Sequence, residues 1–261
     1  MKKIISALLL SAFCYASAQS KQIHIQYTFV RSPVAVLNEN LYIKNNEVIS
    51  IQDSVFTKPV QENSEWISEV QVKAPGSGKA QKRYYISDLK EGGTKHFFFT
   101  SSPYSLKDQT NYFIHDEVPK PVWNIDEKTT RKILGYTCIK ATTVFRGANI
   151  TAYFTRELSY PAGPFKFFGL PGLILDVRED GLPYMIWKAT AVDPDDTTNI
   201  NFKPEFRDDP KITMQEFVRK NDELSSQFKS EILKNLPAGA KMESSKKRVQ
   251  LEKVFEWENP K

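Results

Sequence analysis

Apolar residues in this chain recur mainly at every second position, the period of a half-buried β-strand. From Gln22 to Val30 the alternation sets Ile23, Ile25, Tyr27 and Phe29 on one face. Leu41 to Ile43 and Val48 to Val55 flank Asn45-Asn46, a turn signal, and so predict a hairpin. Trp66 to Val72 reads as a further strand, and Ala74 to Lys79 as a flexible turn. Arg83 to Ile86 and Lys95 to Thr100 are separated by Glu91-Gly92-Gly93, and Asn111 to Asp116 continues the series. Val122 to Ile125 is a short strand and the polar run Glu127 to Lys132 a turn. Lys132 to Val144 predicts one long strand with a bulge near Gly135, closed by a turn at Arg146 to Asn149. Asn149 to Thr155, Leu173 to Arg178 and Tyr184 to Val192 alternate again, the last two joined by the hairpin signal Asp180-Gly181.

One segment changes period. Thr213 and Glu216 form a capping box, after which Phe217, Val218, Leu224, Phe228, Ile232 and Leu236 recur at helical spacing until Pro237 and Gly239. Val249 to Glu258 alternates and predicts a last strand. The order gives an α+β fold, mainly antiparallel β. It is a curved sheet or half-barrel with one C-terminal amphipathic helix against its concave face, and a closed barrel is the second choice.

The extreme N-terminus has a different pattern. Lys2 and Lys3 precede the apolar run Ile4 to Tyr15, and Ala16-Ser17-Ala18 follows. Charge, apolar run and small residues in that order predict a signal peptide over 1–18, with one domain over 19–261. The run is too short to span a bilayer, so the mature chain is expected to carry no transmembrane segment. Of 261 residues, 40% are hydrophobic and 26% charged, which excludes a disordered chain. Removal of Lys2 and Lys3 lowers the formal charge from +5 to +3, too little to argue for nucleic acid. It also removes Cys14 and leaves Cys138 alone. A single cysteine in an oxidising compartment, flanked by Tyr136 and Ile139, is expected to be buried and inert.

Between Asn149–Thr155 and Leu173 lies an irregular segment, with Tyr160-Pro161-Ala162-Gly163-Pro164 and then Phe165-Lys166-Phe167-Phe168-Gly169-Leu170-Pro171-Gly172-Leu173-Ile174. Leu170-Pro171-Gly172-Leu173 suits a type II turn, with proline at i+1 and glycine at the positive-φ position i+2. A rigid corner that launches the following hairpin is one reading of Gly163, Pro164, Gly169, Leu170, Pro171, Gly172, Leu173 and Ile174. The other is a docking surface built on Phe165, Phe167 and Phe168, which interleave with Lys166.

The six residues Gly169 to Ile174 resemble the signature of the GLPGLI family of exported Bacteroidetes proteins. Gly135-Tyr136-Thr137-Cys138-Ile139-Lys140-Ala141 is similar to that family's strand G-Y-x-C-x-K-A, and Ala152 to Thr155 to its approach to the signature. The resemblance is strongest over 130–192 and implies an exported protein of uncharacterised activity, with no catalytic residues to carry over. Where the family pattern reads F-x-G-R, this chain has Phe145-Arg146-Gly147-Ala148, with glycine and arginine in swapped order.

Catalytic signatures are scarce. There is no H-E-x-x-H and no G-x-S-x-G, and Gly76-Ser77-Gly78-Lys79 lacks phosphate-loop spacing. Asp193-Pro194-Asp195-Asp196 reads as a solvated turn rather than a calcium loop. No catalytic, cofactor or metal site is expected. The leading expectation is non-enzymatic binding of an apolar or peptide ligand, or of an envelope partner. A hydrolase using His115 and Asp116, or the carboxylates Asp176, Glu179 and Asp180, is the alternative, and a structural accessory of an envelope complex is the third.

Overall fold

A computed structural model describes residues 21–33, 35–56, 82–90, 92–103, 108, 110–234, 248 and 251–258. The expected signal peptide, the strand Trp66–Val72, the turn Ala74–Lys79 and the helix stop at Pro237 and Gly239 lie outside these residues.

Among the described residues, twelve strands form one open sheet. They are β1 (Gln22–Ser32), β2 (Ala35–Lys44), β3 (Glu47–Phe56), β4 (Arg83–Asp88), β5 (Thr94–Ser101) and β6 (Tyr112–Pro119), then β7 (Asn124–Ile133), β8 (Tyr136–Phe145), β9 (Ala148–Thr155), β10 (Leu173–Glu179), β11 (Ile186–Asp196) and β12 (Lys211–Thr213). The order across the sheet is β12-β6-β5-β4-β3-β2-β1-β11-β10-β9-β8-β7. Every pairing is antiparallel except β12 with β6, which is parallel.

That order forces curvature. β6 and β7 lie ten strand spacings apart in the sheet, yet only residues 120–123 join them. In a flat sheet they would stand about 48 Å apart, at roughly 4.8 Å per spacing. The connection spans at most about 19 Å, at 3.8 Å per Cα step. The sheet therefore curls until its two wings nearly meet. Inward residues of both wings share one core: Ile25, Leu41 and Phe97 join Ile150, Phe154 and Val177.

The helix α1 (Met214–Lys234) begins with the expected capping box. The Glu216 amide donates to Thr213 Oγ1 (3.2 Å) and the Thr213 amide to Glu216 Oε2 (2.8 Å). Met214, Phe217 and Val218 pack with Tyr112 and Ile114 on the inner face of one wing. Further along, Phe228 is exposed.

Several expected elements differ. The polar run Glu127 to Lys132 is not a turn but part of β7, an edge strand with mostly exposed side chains, which therefore lacks an apolar stripe. The expected bulge at Gly135 is a full reversal. Leu134 (φ 50°) and Gly135 (φ 88°) are both left-handed, as a two-residue hairpin requires, and β7 pairs with β8 across them. Asp193 to Asp196 continues β11, and buried Asp196 accepts a hydrogen bond from Gln22 Nε2 (2.6 Å). The C-terminal segment 251–258 is irregular rather than a strand. Leu251 and Phe255, four residues apart, are both buried.

The signature corner is not a type II turn. The Gly172 amide donates to Leu170 O (2.8 Å), which closes a three-residue turn centred on Pro171, and the Leu173 amide is taken by Leu158 O (3.0 Å). Gly172 is needed all the same. Its φ is 154°, and a Cβ there would lie 2.0 Å from the Thr155 carbonyl oxygen. Gly135 is also left-handed, but a Cβ there meets nothing within 4 Å. Gly172→Ala is thus expected to cost at least about 3 kcal/mol in urea unfolding, or to abolish folding. Gly135→Ala should cost only about 1 kcal/mol. Equal losses would contradict the close-approach account.

Candidate functional site: a polar-hearted core and its open mouth

The signature segment runs inside the curl. Phe167, Phe168, Leu170, Leu173 and Ile174 are buried in the core shared by both wings. Gly163 lies so close to Ile174 that a Cβ would stand 2.9 Å from the Ile174 Cβ. The connection between the wings passes over this segment, and Trp123 Nε1 donates to Phe168 O (2.9 Å). Phe167 and Phe168 therefore form no exposed docking patch. Phe165 is only half-buried.

Phe165 is held in an unusual way. Its φ of 55° is left-handed, a strained setting for a bulky side chain. That conformation aims its amide at Glu39, on β2 (2.7 Å). The Glu39 carboxylate is fully buried and also accepts from Ser50 Oγ (2.6 Å), Gln52 Nε2 (3.0 Å) and Trp187 Nε1 (2.8 Å). Four donors occupy the lone-pair sites of the two oxygens, so the carboxylate is satisfied without a cation. The inward alternation of β2 places residue 39 between Leu37 and Leu41. A charged residue at an inward strand position was the sequence signal for this anchor.

Beside it lies a buried ion cluster. Arg146 sits in the β8–β9 turn, with its side chain 2% exposed. It makes a two-pronged contact with Asp116 of β6 (2.7 and 2.9 Å), pairs with Glu252, and reaches the rim residue Glu256 (3.0 and 3.1 Å). Lys166 of the signature segment donates to Asp116 (2.7 Å) and to both oxygens of Glu252 (2.9 and 3.0 Å). Burial alone would raise the Asp116 carboxyl. Lys166 and Arg146 outweigh it and hold the group at about 2. The same carboxylates raise Arg146 against the opposing effect of burial.

The residues named for the hydrolase reading are not brought together. His115 and Asp116 are neighbours on one strand and so point to opposite faces, with Asp116 inside the ion cluster. Asp176 pairs with Arg131 (2.7 Å) and Arg178 (2.8 Å), Glu179 pairs with Lys253, and Asp180 is exposed. These groups do not converge. Cys138 is buried, and desolvation pushes its thiol up to about 11.

Among the described residues, the space inside the curl is small. Between Leu41, Val48, Phe97, Phe167 and Phe168 there is a void of only about 10 Å³, no more than one water occupies. Outside it, an open groove of about 560 Å³ runs along α1 beside Trp257. An open cleft of about 100 Å³ lies at the mouth of the curl. Phe29 and Trp187, stacked at 3.8 Å, join Phe99, Phe165, Met185 and Phe217 in its lining. Arg83 brings positive charge to it, while Lys166 and Glu252, also in the lining, pair with each other. No described helix is long and apolar enough to cross a membrane.

No protein-family model matches the chain, and no curated protein is similar to it. Among solved structures, PNGF-II is similar in its P21 and C2 crystal forms, at 14% and 13% identity over 77% of this chain, with TM-scores of 0.45 and 0.44. The chain spans about a third of those chains, 34% and 33% of their lengths.

The ion cluster makes stability acid-sensitive in a defined window. A carboxyl depressed from 3.8 to about 2 contributes stability that is complete above pH 4 and is lost as pH falls toward 2. The Asp116 part of this loss is about 2 kcal/mol. Urea midpoints measured from pH 6 to pH 2 should fall across that window, and Asp116→Asn should flatten the fall. An unchanged slope in that variant would show that Asp116 does not carry the effect.

Proposed function

We propose that this is an exported envelope protein of the GLPGLI type that binds, without catalysis, an apolar side chain of a peptide or partner protein. The aromatic mouth cleft is the binding place. The observation that carries this reading is the small space between the described residues inside the curl, about 10 Å³. The carrier version of the idea needs a cavity for a lipid, and ligand pockets run roughly 300–1,000 Å³. The cleft, at about 100 Å³, matches one side chain instead. Its floor is rigid, because Glu39 fixes both the Trp187 indole and the Phe165 backbone. Arg83 makes no ion pair among the described residues and supplies a counter-charge for a carboxylate on the ligand. The expected export signal and the signature resemblance support a location in the periplasm or at the outer membrane.

Trp187 in the cleft floor provides the readout. Short peptides ending in an aromatic or aliphatic residue, added to the full-length mature chain, should change its fluorescence saturably. Ser101→Phe, which fills the cleft from its rim without adding a fluorophore that overlaps Trp187, should abolish that binding while leaving the thermal midpoint near wild type. No response to any such peptide, or stoichiometric lipid in an organic extract of the purified protein, would overturn the proposal.

A further inference from the structure

The outer face of the β5–β6 hairpin carries a group of side chains that the cleft does not use. His96 lies directly opposite Glu117 across the antiparallel pair, and His115 is two residues from Glu117 on the same face. His96 Nδ1 stands 2.9 Å from His115 Nε2 and 3.8 Å from Glu117 Oε1. The three ligand atoms all lie within 4.8 Å of one another. We propose that His96, His115 and Glu117 form a binding site for one divalent transition-metal ion of the zinc class.

The donor set and spacing carry the argument. Two imidazoles and a carboxylate suit zinc, copper or nickel, whereas magnesium and calcium prefer oxygen alone. Around a tetrahedral ion with ligand bonds near 2.1 Å, donor atoms stand about 3.4 Å apart. The observed separations bracket that value, so small side-chain rotations close the site. The two facing nitrogens now share a hydrogen bond. The donating imidazole makes its nitrogen available by moving that proton to its other ring nitrogen. The His115 ring is held in place by stacking: Phe98 lies on it (4.7 Å, 10°) and Phe113 lies beside Phe98 (6.0 Å). This ordering limits the entropy lost on coordination. Three protein ligands leave a fourth position for water or for a group from a partner.

The site is independent of the core. Asp116, between His115 and Glu117, points inward to Arg146 and Lys166. Changes on the outer face therefore leave the ion cluster intact.

Calorimetric titration of the untagged mature chain with zinc chloride, in a buffer that does not chelate, tests the proposal. One equivalent should bind. His115→Ala and Glu117→Gln should each weaken binding by at least about tenfold, since even outer-shell changes cost 10–100-fold. Metal-free thermal midpoints of these variants should stay within about 2 °C of wild type, as expected for surface substitutions. Failure of the wild type to bind, or one-equivalent binding that survives the His96→Ala/His115→Ala double change, would overturn it.

Discussion

The buried contact between Arg146 and Asp116 is the constraint on which the rest of the architecture depends. Sheet order alone brings the two wings of the curl near each other. Something must then hold them at a fixed separation. Arg146 from one wing and Asp116 from the other do so, with Lys166 from the signature segment and Glu252 from the C-terminal segment completing the set. Four stretches of chain, far apart in sequence, meet through two cations and two buried carboxylates. Such a cluster is not bound to be more stable than an apolar core of equal volume. Its contribution is geometric, because its two cations and two carboxylates come from four separate segments.

That arrangement determines what the interior can hold. Lys166 can reach the cluster only if the signature segment passes through the curl, and this carries Phe167, Phe168 and Leu170 into the space where a carrier would hold its cargo. Glu39 fixes the same segment one residue earlier, at the Phe165 amide. The strain at Phe165 is sustained from both sides: by the carboxylate that takes its amide, and by ring contacts with Tyr85, Phe145 and Trp187. The mouth cleft is the space left over, so its small size and rigid aromatic floor follow from the plug.

Much of the fold could be read from local pattern. The alternation of Ile23, Ile25, Tyr27 and Phe29 marked β1 because each of these residues faces one core. Thr213 and Glu216 marked the helix start because a capping box is complete within four residues. The mostly antiparallel curved sheet with one helix followed from these signals. Errors arose where partners were distant. The polar run of β7 looked like a turn because an edge strand needs no apolar stripe. Leu251 and Phe255 looked like strand positions because alternation cannot distinguish a strand from an irregular tail pinned at two points. The need for glycine at 172 was readable from Pro-Gly, but not the approach of Thr155 that enforces it. The partners of Arg146 carried no local mark, since Asp116 and Glu252 lie 30 and 106 residues away.

A double-mutant cycle on Asp116 and Arg146 addresses the central claim most directly. Asp116→Asn, Arg146→Met and the combination would be compared with the parent by urea unfolding at neutral pH. Breaking one partner of a buried pair should cost roughly 3–5 kcal/mol. If the pair clamps the wings, the double change should cost much less than the sum of the two, with a coupling of at least about 2 kcal/mol. Losses that add to within about 0.5 kcal/mol would show that the wings are held by something else.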